Sequence, residues 1–293
     1  MKIDTITAPR GPRSWIVLDI ESAVIDDTAH KRYQAMERWV PSDDKPIRRG
    51  YQRSEDPLTC PRWPFQTVTT AAMMVLVEDS QGGIDLQRFV TLSAPDHRER
   101  DVLAGILQVL ADAPADAEIC TWMGLAHDLP LMISGCMRHG LSLPHGWRWL
   151  ANGGFHKDRH LDLARAYTAG MRMKPIHLAE VLAAMDIPGK LICAPFAVTN
   201  LIYAGRWDDV QSCCEIDVIS TALLLARWRR LTDPRVEADA VEDRIMRRVI
   251  ELRVGRGYIA ALEAHRQRRF AAMFVRAAND AATLAPWLAQ DAA

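Results

Sequence analysis

Asp19 and Glu21 are spaced for chemistry. They close the stretch Trp15-Ile16-Val17-Leu18-Asp19-Ile20-Glu21, in which four large apolar residues run into an Asp-Ile-Glu. Such a run reads as a strand buried on both faces. Side chains alternate along a strand, so two carboxylates two residues apart point the same way. Side by side at the end of a buried strand they repel each other and are costly to desolvate. A divalent cation held between them relieves both problems. The competing reading ends the strand at Asp19 with both acids in water, and further carboxylates in suitable places decide between the two.

Two such carboxylates are Asp128 and Asp217. Asp128 stands in Trp122-Met123-Gly124-Leu125-Ala126-His127-Asp128-Leu129-Pro130, where a strand ends, a glycine turn follows and a helix begins near Pro130. An acid there also suits a helix start by itself. Asp217 lies in Cys213-Cys214-Glu215-Ile216-Asp217-Val218-Ile219-Ser220-Thr221, beside a buried helix face, with Cys213 and Thr221 one turn before and after it. An aspartate in mid-helix gains nothing from a cap and has poor propensity, so it calls for a metal or an arginine. A third acid, Asp162 in His160-Leu161-Asp162-Leu163, reads as a substrate-side residue or as a helix cap.

The elements that must position these residues are legible from periodicity. Thr67 to Val77 reads as a buried strand, Gln81-Gly82-Gly83 as a turn, and Ile84 to Leu92 as the hairpin partner. Helical spacing covers Arg98 to Leu110 and Leu129 to His139, with a short strand at Ala117 to Trp122 between them. Three strands before the first core helix predict an antiparallel meander, and the helix-strand-helix that follows adds a parallel neighbour. The result is an α/β mixed sheet flanked by helices. From Ile176 onward the pattern is helical: Ile176 to Met185, Thr199 to Tyr203, and a long helix from Trp207 to Leu231. A polar excursion at about 26–62 reads as a lid or an insertion, with a short helix around Lys31 to Trp39.

Net charge is −1 over 293 residues, with 49% hydrophobic and 25% charged, so there is a sizeable core and no global basic bias. Any affinity for nucleic acid must come from local patches. Between Arg244 and Arg276 nine arginines face only Glu251 and Glu263. That stretch, part of a helical extension over 234–293, reads as a phosphate-binding face or as a solvated helix face. The six cysteines form no Cys-x-x-Cys pair and no zinc spacing. No apolar run approaches a membrane span, and residues 1–13 lack the apolar region of a signal peptide. A cytoplasmic location is expected.

Together the motifs resemble the DEDD 3′–5′ exonucleases, whose fold is RNase H-like. Leu18-Asp19-Ile20-Glu21 is similar to their first motif, Gly124-Leu125-Ala126-His127-Asp128-Leu129-Pro130 to the second, and Cys214-Glu215-Ile216-Asp217-Val218-Ile219-Ser220-Thr221 to the third. His160-Leu161-Asp162-Leu163 and Met185-Asp186-Ile187-Pro188-Gly189-Lys190 resemble the predicted PolB-like exonuclease branch. The resemblance spans residues 14–231, which it makes the exonuclease domain.

It implies that Asp19, Glu21, Asp128 and Asp217 hold two divalent ions, Mg²⁺ or Mn²⁺. Two such ions roughly 4 Å apart activate a water and stabilise the leaving 3′ oxygen in an in-line displacement. The implied reaction releases nucleoside 5′-monophosphates from a 3′ end. Single-stranded DNA is the expected substrate, with repair as context, and RNA in the manner of RNase D is the alternative.

The chain departs from the family at Cys213 and Ser212, where those enzymes place a tyrosine or, one residue earlier, a histidine that orients the attacking water. A thiol is a poor substitute. His127 is the first candidate to take the role, with His145, His156 and His160 behind it. The same departure supports an inactive nuclease-fold module that binds nucleic acid or protein. Candidate substrate contacts are Asp162, Trp122 and Thr221, and Trp147, Trp149 or Phe155 are candidates to stack a terminal base.

Overall fold

The computed structural model describes residues 13–38, 56–152, 159–170, 172–174, 176–194 and 197–284. Elements follow in the order β1 (Arg13–Ala23), α1 (Thr28–Arg38), β2 (Thr67–Glu78), β3 (Ile84–Ser93), α2 (Glu99–Asp112), β4 (Glu118–Thr121), α3 (Asp128–His139), β5 (His160–Asp162), α4 (Leu163–Tyr167), α5 (Leu178–Ala184), α6 (Val198–Tyr203), α7 (Trp207–Thr232), α8 (Ala238–Leu252) and α9 (Ile259–Leu284). The strands form a five-stranded sheet in the order β3-β2-β1-β4-β5. β1, β2 and β3 make the expected antiparallel meander, while β4 runs parallel to β1 and β5 parallel to β4. This is the RNase H-like mixed sheet flanked by helices. β5 is a strand that the sequence pattern misses, because three residues cannot display a period.

β1 is the centre of the sheet, and its alternation sorts the core. Trp15 and Val17 enter one apolar cluster, with α5, α7 and α8; Ile16, Leu18 and Ile20 enter the other, with α2 and α3. Asp19 and Glu21 continue the row of Trp15 and Val17, so they point toward the α7 layer. β4 pairs only with Trp15, Ile16 and Val17. Beyond Val17 that side of β1 has no strand beside it, and both acids fall where the sheet opens. On its other edge, β1 stays paired with β2 through Asp19↔Ala72 and Glu21↔Thr70, with a register shift just after Glu21.

The polar excursion begins with α1, which starts three residues earlier than expected because Asp26 accepts hydrogen bonds from the backbone and hydroxyl of Thr28, and ends one residue earlier. His30 donates to the carbonyl of Pro57 at 2.7 Å and its ring meets Phe65, which ties the two ends of the excursion together. Residues 39–55 of that segment lie outside the described residues.

The segment after residue 234 packs into the main core: Val241, Ile245, Met246, Val249, Tyr258 and Leu262 all belong to the α7 cluster. Six of its arginines form ion pairs. Arg244 pairs with Asp85, Arg248 with Glu251, Arg253 and Arg256 with Glu215, Arg266 with Asp243, and Arg269 with Asp239 and Glu242. Five of these arginines (244, 253, 256, 266 and 269) thus pair with acids, Asp85 of β3 and Glu215 of α7 among them, and Arg248 pairs within its own helix.

Candidate active site

Three of the four expected acids meet. One carboxylate oxygen each from Asp19, Glu21 and Asp217 lies within 4.8 Å of the others. β1 brings the first two by strand alternation, and α7 brings the third by crossing the same face of the sheet. Helix α7 can cross there because Ile216, Val218, Ile219, Ala222 and Leu223 are all buried, each large side chain contributing roughly 1.5–3 kcal/mol. Asp128 is buried at the first turn of α3 and acts electrostatically on Asp19, Glu21 and Asp217.

The loop before Asp128 has a specific support. Met123 adopts a positive φ of 61°, and a Cβ on Gly124 would stand 2.4 Å from the Thr121 hydroxyl, so that turn requires glycine. Met123 and Leu125 donate their backbone N–H groups to the two oxygens of Asp162, each at 3.1 Å, and Arg165 donates a third at the start of α4. Asp162 is buried and its carboxylate is engaged by backbone, so its expected role as a substrate contact is corrected: it positions the turn that delivers Asp128. Replacing Asp162 with alanine leaves those donors without their acceptor. The expected outcome is a loss of about 2 kcal/mol in stability and a roughly 10- to 100-fold loss of activity, read by urea unfolding and a nuclease assay.

A basic group also enters the cluster. Lys190 forms an ion pair with Asp217 Oδ2 and acts electrostatically on Asp19 and Glu21. It sits in the turn after α5 with a positive φ of 52°. Ser220 of α7 donates to the carbonyl of Pro188 at 2.6 Å and fixes that turn beside Asp217. Sequence reasoning noted the Pro-Gly-Lys turn as a family feature and did not place Lys190 among the acids.

One ammonium against four carboxyl groups is too little positive charge to keep them all ionised in a buried site. Burial, then Glu21, Asp128 and Asp217, holds Asp19 well above the usual carboxylate range. Burial and then Asp217 push Glu21 up to about 8. Burial raises Asp128 against the opposing His127, and raises Asp217 against the opposing Lys190. Asp217 Oδ1 is buried without a hydrogen-bond partner. An orphaned acceptor among clustered hard oxygens fits Mg²⁺ or Mn²⁺.

A pH effect follows. Between the ordinary Glu21 value of 4.5 and about 8, the folded metal-free protein keeps a proton that the unfolded chain has lost. Stability therefore falls as pH rises across that window. Thermal melts in EDTA are expected to show this slope. Glu21→Gln is expected to reduce it, with the raised Asp19 contributing what remains, and Mn²⁺ to raise the melting temperature most at the alkaline end.

The remaining candidates separate. His127 Nδ1 lies 3.2 Å from Asp128 Oδ1, and that hydrogen bond raises the imidazole above its usual value. Cys213 is one turn before Asp217, nearly buried, with its sulfur 2.8 Å from that of Cys193. Trp122 remains partly exposed at the end of β4. Thr221 is buried within the helix packing, which removes it as a substrate contact. Trp147 is buried and donates to the Leu110 carbonyl at 2.6 Å, so it is a core residue and does not stack a base. Trp149 is half-buried against Trp147 and His160. His160 bonds Thr121 Oγ1 at 2.9 Å inside the sheet, and His145 is exposed. Phe155 and His156 lie outside the described residues.

The site is an acidic cluster at the open end of the central strand, covered by a helix that supplies a further acid, and it could hold a metal ion. Residues 61–262 match the family described as a predicted 3′–5′ exonuclease related to the exonuclease domain of PolB, and the chain belongs to that family. The matched span holds Asp128, Asp162, Lys190 and Asp217; β1 precedes it, and the geometry joins Asp19 and Glu21 to Asp217.

Among solved structures, one of exonuclease I is similar with a TM-score of 0.39 and 10% identity, over 76% of this chain and 42% of that one. An exonuclease I/SSB-Ct complex gives a TM-score of 0.40 and 11% identity, over 82% and 46%. The chain thus spans less than half of those proteins. No curated protein matches it. Among the described residues no helix is long and apolar enough to cross a membrane.

Proposed function

We propose that the protein is a divalent-metal-dependent 3′–5′ exonuclease acting on single-stranded DNA ends and releasing nucleoside 5′-monophosphates. The observation that carries this is the convergence of Asp19, Glu21 and Asp217 within 4.8 Å, with an unpartnered oxygen on Asp217. Asp19, Glu21, Asp217 and the neighbouring Asp128 would hold Mg²⁺ or Mn²⁺. Bound there, the metal supplies Lewis acidity and a nucleophilic water at neutral pH.

The chain's own groups do the rest. Lys190 brings a positive charge to the cluster, where it offsets carboxylate repulsion and attracts the scissile phosphate. His127, held by Asp128 and half-exposed, takes the place of the absent tyrosine as the hydrogen-bonding group beside the water. Trp122, partly exposed just past the end of β4, offers a face to the terminal base.

The substrate class is tested with matched single-stranded DNA, single-stranded RNA and blunt duplex, each 5′-labelled and degraded in Mn²⁺. The expected order has single-stranded DNA fastest. RNA degraded faster than DNA would move the assignment to RNA processing. Binding of DNA without degradation would favour the inactive module for which Cys213 speaks.

A further inference from the structure

Two cysteines form a pair at the edge of the acidic cluster. Cys213 lies on α7 one turn before Asp217, and Cys193 lies three residues after Lys190 in the segment that follows α5. Their sulfurs are 2.8 Å apart, roughly 0.8 Å more than a disulfide bond. Both sit in a small apolar cluster with Ala23 at the end of β1, Val198 and Ile202 of α6, and Val210 of α7. Cys213 is nearly buried, whereas Cys193 is partly exposed and open to a small reagent.

We propose that Cys193 and Cys213 are a reversible oxidation site, closing to a disulfide that staples the Lys190 segment to α7. Hydrogen peroxide suits the half-open geometry. The Cys193 thiol is first oxidised to a sulfenic acid, reducing peroxide to one water. The Cys213 sulfur then attacks the Cys193 sulfur, the S–S bond forms as the S–OH bond breaks, and a second water leaves with the Cys213 proton. Two thiols give up two electrons and two protons, and one peroxide becomes two waters. A small dithiol reverses the step by exchange.

The consequence for the site is mechanical. The staple fixes the segment carrying Lys190 one helical turn from Asp217, so the ammonium is held on the carboxylate that a divalent ion needs. The oxidised protein is expected to bind Mn²⁺ roughly five- to tenfold more weakly than the reduced one. This effect on the metal rests on the proposed function; the thiol pairing does not.

The test treats the full chain with stoichiometric peroxide, then reads free thiols, intact mass and a non-reducing peptide map. The expected result is a fall from six free thiols to four, a mass loss of two hydrogens, and a linked peptide joining 193 to 213, all reversed by dithiothreitol. Cys193→Ser should abolish the link and Cys60→Ser should leave it. A map of the wild type showing other pairings, or sulfinic acid without a link, overturns the proposal and needs no variant to fold. Free Mn²⁺ measured by electron paramagnetic resonance then compares the two forms. Equal affinity overturns the gating while the disulfide stands, and no Mn²⁺ binding by the reduced form counts against the metal site alone.

Discussion

Asp19→Asn is expected to lower 3′-end hydrolysis on the order of 10³-fold while leaving the protein folded. The asparagine keeps the shape of the side chain and removes the charge at the centre of the cluster. Asp19 is the acid on which burial, Glu21, Asp128 and Asp217 all act in the same direction. Without its charge the remaining carboxylates hold a divalent ion poorly. The same change relieves repulsion in the metal-free protein, which should gain on the order of 1 kcal/mol and melt a few degrees higher in EDTA. Steady-state rates and thermal melts on the same preparation check both halves. A rate within tenfold of wild type, with the melting temperature unchanged, would remove Asp19 from the metal site.

Glu215→Ala has the largest expected effect on stability, about 3–5 kcal/mol. Glu215 is fully buried on α7, two residues before Asp217 and on a different face of the helix. It accepts from the Thr91 hydroxyl of β3 at 2.7 Å, from the Tyr258 hydroxyl at 2.7 Å and from Arg256 at 3.2 Å, with Arg253 at 3.5 Å. Removing the carboxylate strands a buried phenol and takes the buried counter-charge from two arginines, leaving Arg256 with Gln211 and the exposed Asp208, and Arg253 with the Phe89 carbonyl and the Thr91 hydroxyl. Burial and Glu215 together raise the Tyr258 phenol above its ordinary range, so it remains a donor in that network. Urea unfolding gives the measurement. The exposed Arg248–Glu251 pair serves as the control, with under about 1 kcal/mol expected on breaking it. A loss at Glu215 no larger than in that control would mean that α8 and α9 are held by apolar packing alone.

The parts of this site that the sequence disclosed share one property: their signal is local. Asp19 and Glu21 stood out because an apolar run ended in acids at strand spacing, and Asp217 because a mid-helix aspartate needs a partner. The meander was visible in period-two segments and a glycine turn. Lys190 was not visible as a site residue, because nothing in a turn 27 residues before Asp217 states that the two meet. Asp162 was readable as a helix cap, and it is one, but its bonds to Met123 and Leu125 join strands distant in sequence. The partners of the arginine-rich stretch were hidden for the same reason. Counting charges in one window omits Asp85 and Glu215, which arrive from β3 and α7. Trp147 looked like a loop aromatic until the Leu110 carbonyl and the α2 core claimed it.

The acids assembled by β1 and α7 are proposed to cut a nucleic acid from its 3′ end with the help of a divalent ion. The direct measurement incubates a 5′-labelled single-stranded DNA with wild type and with Asp217→Ala, in Mg²⁺, in Mn²⁺ and in EDTA. A ladder that shortens from the 3′ end with wild type and metal, and is absent with the variant and in EDTA, is the predicted result. An intact oligonucleotide in both metals, with wild-type protein shown to be folded, would contradict it.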